Sequence, residues 1–290
     1  MDNYVIMTDS SADLDQAMVE QLDIRVLPLS LTMGGKTYQD WPDRRDLDPK
    51  EFYARLRAGE VATTAAVNLA EAKEAIAPML QEGRDVLFLA FSSGLSSSCQ
   101  SAKLAAQELS EEYPDRKCYV VDTLCASLGQ GLLVYLTAKQ KEAGASLEEA
   151  RDYAENTKLH LCHWFTVDDL QFLKRGGRIS ATTAMLGTML SIKPVLHVDN
   201  EGHLINISKA RGRQSSIKAL VDKAAQTAIE PSTQTMFICQ GDCPEDAEYL
   251  AGLVRERLGV QDIHIGYTGP VIGSHSGPGT LALFFLGTER

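Results

Sequence analysis

Short apolar runs alternate along this chain with stretches of helical spacing, and the clearest alternation lies between Asp85 and Thr123. Val86-Leu87-Phe88-Leu89-Ala90-Phe91 is a continuous apolar run, and Ser92-Ser93-Gly94-Leu95-Ser96-Ser97-Ser98 follows it. A helical pattern then extends from Cys99 to about Glu112, and Cys118-Tyr119-Val120-Val121-Asp122 closes the unit. Run, small polar loop, amphipathic helix and run predict a βαβ unit with a buried parallel sheet. The loop then lies at the carboxyl end of a strand and the amino end of a helix, where ligands gather in open α/β sheets. Backbone N–H groups and the helix dipole favour an anion there, and the serine hydroxyls add donors. The stretch is read as a seat for a carboxylate or a phosphate. A serine-rich turn also serves simply as a helix cap.

The start of the chain repeats the arrangement. Tyr4 to Met7 is a strand-like run, Thr8-Asp9-Ser10-Ser11-Ala12-Asp13 a polar turn, and a helix is expected from Leu14 to Leu22. If the two strands are parallel neighbours, both loops open on one edge, which makes Asp9 and Ser10 site candidates beside a plain capping role. Ile24 to Thr32 alternates like one strand, turning at Met33-Gly34-Gly35-Lys36 into a return through Thr37-Tyr38. Asp48-Pro49-Lys50-Glu51 starts a helix that stops near Gly59. Ala62-Thr63-Thr64-Ala65-Ala66 reads as a connection before a helix from Leu69 to Leu80, so its threonines are either caps or hydroxyls for a site. Ala126 to Gly144 is a long apolar helix, and Ser146-Leu147-Glu148-Glu149 is a capping box.

Near Lys158 the alternation weakens. The expected division is a first α/β domain, 1–155, with a parallel sheet, and a second α+β domain, 156–290, with a mixed or antiparallel sheet. In the second, Leu161 to Val167 is a strand, Asp168 to Leu173 a short helix, and Lys174-Arg175-Gly176-Gly177-Arg178 a cationic turn able to wrap an anion. Ala181 to Ser191 is helical and rich in Met185, Met189 and Leu190. Strands Lys193 to Val198 and His203 to Lys209 flank a hairpin at Asp199-Asn200-Glu201-Gly202. A helix to Ala228, strand Met236 to Cys239, helix Glu245 to Leu258 and strand Ile263 to Tyr267 follow. Gly269 to Thr280 is glycine- and proline-rich and reads as a fixed loop that holds His275 for a site role, before a core strand from Leu281 to Leu286.

Composition narrows the function classes. The chain has 290 residues, 44% hydrophobic and 23% charged, ordinary for a globular protein of two domains. A net charge of −11 argues against nucleic acid or an anionic membrane as the main partner. No apolar run reaches spanning length and Met1-Asp2-Asn3-Tyr4 carries no signal-peptide pattern, so the expectation is a cytoplasmic protein that is not an integral membrane protein. The six cysteines are scattered without paired ligand spacing, which favours buried thiols over zinc; no metal and no cofactor are expected.

Five segments in a fixed order carry a resemblance: Thr8-Asp9-Ser10, Phe91 to Ser96, Leu173 to Ile179, Lys193-Pro194-Val195-Leu196 and Gly269 to Gly279. Together they resemble the DegV family of bacterial fatty-acid-binding proteins over nearly the whole chain. The resemblance implies two α/β domains, the first similar to the dihydroxyacetone kinase fold, with a long-chain fatty acid held between them. It also implies a non-catalytic, acyl-carrying subunit that serves phospholipid synthesis by presenting the carboxylate to a separate ATP-binding fatty acid kinase. By position, Thr64 and Ser96 take the family's carboxylate-binding threonine and serine, while His275, Arg178 and Ser93 support the site with Asp9 and Ser10. Met185, Met189 and Leu190 are expected to line the acyl chain, and Arg211 and Arg213 to contact the kinase. This chain departs from the family where Ala65-Ala66-Val67 follows Thr64 and Ser97 follows Ser96.

Burying an acyl chain contributes about 0.8 kcal/mol per methylene, against about 1.5–3 kcal/mol for a hydroxyl bond to a carboxylate. The tail therefore sets affinity and the seat sets orientation. Two other readings stand beside this one. Ser96, Asp122 and His275 occur in the order of an α/β-hydrolase triad, as in a serine hydrolase acting on a lipid ester, although Gly94-Leu95-Ser96-Ser97-Ser98 lacks the second glycine of the nucleophile elbow. A phosphotransfer subunit for a small hydroxyketone follows from the fold likeness alone, and the chain has no Walker-type loop.

Overall fold

The computed structural model describes residues 3–180 and 191–290; the expected helix over 181–190 lies outside them, as do Met185, Met189 and Leu190. The chain opens with β1 (Tyr4–Asp9), buried throughout, then α1 (Gln16–Gln21), capped by Asp15, and β2 (Ile24–Leu27). The single strand expected from Ile24 to Thr32 is in fact two. Pro28, without an N–H, ends the ladder, and β3 (Ser30–Met33) leaves to form a hairpin with β4 (Lys36–Gln39). α2 (Pro49–Arg57) starts as the sequence predicts, with Asp48 accepting from the N–H groups of Lys50 and Glu51. Next comes β5 (Ala62–Thr64), where a connection is expected. These residues pair antiparallel with β3, Thr64 opposite Leu31, so the partner strand rather than local propensity makes them a strand.

α3 (Leu69–Gln81) begins at a capping box of Asn68 and Glu71. β6 (Asp85–Ala90), α4 (Ser98–Glu112) and β7 (Cys118–Asp122) complete the predicted βαβ unit. The first sheet runs β2-β1-β6-β7, all parallel. Because β1 and β6 are parallel neighbours, the loops after them open on the same edge.

α5 (Leu128–Glu142) and α6 (Leu147–Thr157), the latter opened by Ser146 and Glu149, lead to the second sheet. Its elements are β8 (Leu161–Thr166), α7 (Gln171–Arg175), β9 (Ile192–Val198), β10 (Leu204–Arg211), α8 (Arg213–Thr227), β11 (Thr235–Gln240), α9 (Pro244–Leu258), β12 (Asp262–Tyr267), α10 (Pro270–Ser276) and β13 (Leu281–Leu286). The strand order is β10-β9-β8-β13-β11-β12; β11 and β12 run parallel and the other pairs antiparallel, so of the two expected arrangements, mixed or antiparallel, the sheet is mixed. α10 corrects the loop reading of Gly269 to Thr280. Proline at a first helical position and glycine just past the end are helix punctuation, and Gly277 takes the left-handed φ of 80°.

The amino-terminal half of α5 is buried all round, from Leu128 to Val134. It packs against strands of both sheets, and one hydrophobic core runs from Ile6 and Leu89 in the first through Leu132 to Phe237 and Phe284 in the second. A separate core lies under α8 and α9 on the far face of the second sheet, around Leu220, Val254 and Phe285.

Candidate functional site

Between the sheets lies a cavity with about 820 Å³ of empty space, the open mouth included. Its wall is mostly apolar: Phe91 and Leu95 come from the first sheet's edge, Phe165, Val198, Leu204 and Phe284 from the second sheet and its hairpin. Leu173 before the cationic turn and Val271 and Ile272 on α10 complete it. Four polar side chains expected from the sequence meet on this wall from four separate segments: Thr64, Ser96, Arg178 and His275.

Thr64 ends β5 and lies 2.7 Å, Oγ1 to Nε2, from His275. Burial, then the Arg178 and Arg175 guanidiniums, push His275 down to about 4, so the ring is neutral. With Nε2 protonated, the imidazole donates to Thr64 and leaves the threonine proton for a ligand. Ser96 works alike. Its Oγ accepts from the Ser98 N–H at 3.2 Å and lies 3.0 Å from the Ser98 hydroxyl, which itself accepts from the Val67 N–H at 3.0 Å. When Ser98 donates, Ser96 keeps its own proton. Arg178 is half-buried, and burial lowers its pKa; Nε donates to the Leu95 carbonyl at 3.2 Å and Nη1 to the Gly176 carbonyl. With those proton positions, Thr64 and Ser96 each have a hydroxyl donor to offer an oxyanion, on a wall that Arg178 also lines.

Backbone contacts fix the seat. A Cβ at Gly176 would strike Nδ1 of His275, so the end of α7 presses on the ring. Ser92 donates to the Gly202 carbonyl at 2.9 Å, and a Cβ at Gly94 would stand 2.8 Å from the Glu201 carbonyl oxygen. The tip of the β9–β10 hairpin therefore clamps the serine loop from the other sheet.

The family model of the DegV family, described as uncharacterised proteins, matches residues 3–288. The chain belongs to the DegV family. A DegV domain-containing protein of Clostridium perfringens is 48% identical over 290 residues, covering 100% of this chain and 99% of that one. Among solved DegV structures, one from Thermus thermophilus described as binding fatty acid has a TM-score of 0.86 at 32% identity, over 97% of this chain and 98% of its own. One from Thermotoga maritima, described as revealing a fatty acid binding function, gives 0.84 at 30%, over 98% and 99%.

Not every expected residue reaches the cavity of this DegV chain. The buried Asp9 accepts the N–H groups of Ser11 and Phe91, each at 3.0 Å, and burial raises its pKa. The Ser10 hydroxyl accepts from the Leu29 N–H at 3.0 Å. Both brace the loops rather than line the wall. Ser93 is exposed and its N–H donates to Asp122 at 3.1 Å. The triad order is not assembled: Asp122 also accepts from the Leu124 N–H at 3.2 Å, while His275 is bonded to Thr64 and Ser96 to Ser98. Arg211 is exposed at the end of β10. Arg213 is engaged, with Nε donating to Asp246 at 2.8 Å and Nη1 lying 3.8 Å from Asp168.

Sequence reasoning missed Ser11, Ser127, His163 and Cys239 on the wall. Ser11 lies within the polar turn Thr8–Asp13, beside the two residues singled out there, but the strand-like pattern around His163 and Cys239 carries no mark of a site. His163 accepts the Ala126 N–H on Nε2 at 3.3 Å, which leaves Nδ1 to donate to the Leu161 carbonyl at 3.0 Å, and burial holds it neutral. Burial pushes the Cys239 thiol up to about 12, so it is inert packing. Among the described residues no group of His, Cys, Asp and Glu could hold a metal ion, and no helix is long and apolar enough to cross a membrane. Ser127 has φ 54° and ψ −147°, a conformation that costs on the order of 1–3 kcal/mol in a non-glycine residue.

Proposed function

We propose that this chain carries a long-chain fatty acid, its tail in the apolar cavity and its carboxylate on Thr64 and Ser96. The observation that carries the reading is the convergence of Thr64, Ser96, Arg178 and the neutral His275 on one mostly apolar wall. The fatty acid binding described for the Thermus thermophilus and Thermotoga maritima relatives supports it. The carrier has two units, 1–155 and 156–290, the second closing over the acyl chain; the separate sheets on either side of α5 and α6 support that division.

The carrier presents the carboxylate to a separate ATP-binding kinase subunit in the cytoplasm, where the acyl phosphate forms for phospholipid synthesis; this chain binds and the partner catalyses. Arg211, exposed on β10, is the better contact for that partner, since Arg213 is held by Asp246.

Ser96→Ala removes one hydroxyl bond to a charged group, worth about 1.5–3 kcal/mol, and weakens fatty acid binding roughly ten- to a hundred-fold. Fluorescent fatty acid displacement measures it, and native mass spectrometry of the freshly purified protein identifies any retained lipid. A protein that retains no lipid, with an unchanged Ser96→Ala variant, would falsify the carrier reading. Arg211→Glu leaves lipid binding intact and abolishes acyl phosphate formation with the kinase.

A further inference from the structure

Asp13 touches no ligand space, yet it joins two walls of the cavity. It is 3% exposed and follows the tight turn Ser10–Ala12. One carboxylate oxygen, Oδ1, accepts the backbone N–H of Gly269 at 2.9 Å, the residue just ahead of α10. The other, Oδ2, accepts the hydroxyl of Ser127, the residue just ahead of α5. Ala126 and Ser127 line the cavity at the first position; Val271, Ile272 and His275 line it beyond the second.

One partner is held in a strained conformation and the other at a close approach. Ser127 keeps the strained backbone described above, and its side chain makes no capping bond to its own helix. Its hydroxyl goes to Asp13 instead, and a residue in that conformation persists only where its surroundings fix it. At Gly269 a Cβ would stand 2.6 Å from Oδ1 of Asp13 and 2.8 Å from Nη1 of Arg44, so only glycine lets the backbone come this close.

The charged groups around Asp13 are the part-buried Arg44 and the buried Asp40. Arg44 bonds Asp40 at 2.5 Å, and its charge also acts on Asp13. Tyr53, whose hydroxyl donates to the Thr268 carbonyl at 2.8 Å, and the Cys239 thiol also face the carboxylate. Burial pushes Asp13 up to about 7 against the pull of Arg44. An acidic group kept under such a penalty, away from any ligand, is one whose two acceptor oxygens are needed where they are.

We propose that Asp13 is a positioning residue for the headgroup seat: by tying the start of α5 to the start of α10, it fixes where His275 meets Thr64. The inference rests on the fatty acid reading of the cavity. It adds a residue that acts on the carboxylate through α10 without touching it.

The test compares palmitate with the alcohol of the same chain length, which fills the cavity but offers no carboxylate. Asp13→Ala lowers palmitate affinity roughly ten-fold or more and leaves the alcohol's affinity unchanged. Asp13→Asn, which keeps an acceptor for Gly269, loses several-fold for palmitate alone. In the ligand-free Asp13→Asn protein the NMR signals of the His275 ring also move. An equal loss for both ligands marks a general packing defect and overturns the proposal, as does no loss in either variant. If Asp13→Ala does not fold, the Asp13→Asn comparison decides by the same criteria. A wild-type protein that binds palmitate no better than the alcohol overturns the carboxylate seat itself, and the role of Asp13 with it.

Discussion

His275 is where the seat's chemistry is most sensitive to solution conditions. Its folded pKa of about 4 lies below the ordinary 6.5, so the unfolded chain binds the proton more tightly than the folded one. The stability this group contributes is fully present above pH 6.5 and is lost as pH falls toward 4, roughly 3 kcal/mol across the window. His275→Gln therefore loses less stability than wild type between pH 7 and 4.5, which urea denaturation at the two values measures. The choice of Thr64 over Thr63 for the cavity wall was legible only through the family resemblance. Two threonines in Ala62-Thr63-Thr64-Ala65-Ala66 look alike in the sequence, and the pairing of β5 with β3, together with His275 arriving from α10, singles out the second. Asp9 and Ser10 show the opposite failure. Their position after a strand is that of a site, but their oxygens are used up by the N–H groups of neighbouring loops.

At the scale of elements, α7 and α10 act as one unit. The end of α7 contacts the His275 ring at Gly176, and Gly277 after α10 has no room for a Cβ against the Phe172 ring. Gly176→Ala forces a methyl into Nδ1 of His275, at an overpacking cost of about 1–3 kcal/mol, and lowers both the melting temperature and palmitate affinity. Thermal unfolding and displacement titration on the same sample read the two effects. Elements with strong periodicity or clear caps follow the sequence, as α2, α6 and the βαβ unit around α4 do. β5 does not, since three residues carry no period and need a partner from elsewhere in the chain. α10 was hidden for another reason: its glycine and proline residues are as common in loops as at helix ends.

For the whole molecule, the shared core through α5 predicts that the two sheets unfold together. Near- and far-ultraviolet circular dichroism give coincident denaturation curves, and two separated transitions would contradict a continuous core. A retained fatty acid raises the common midpoint by mass action.

The clamp between Gly202 and the serine loop carries a consequence for how variants of this chain are sorted. Gly202 has a φ of 80°, and a Cβ there would collide with Oγ of Ser92. A change at that hairpin tip, far along the chain from Ser96, would displace the serine loop on the cavity wall. A survey ranking positions by sequence distance from the hydroxyls would file it under harmless surface variation.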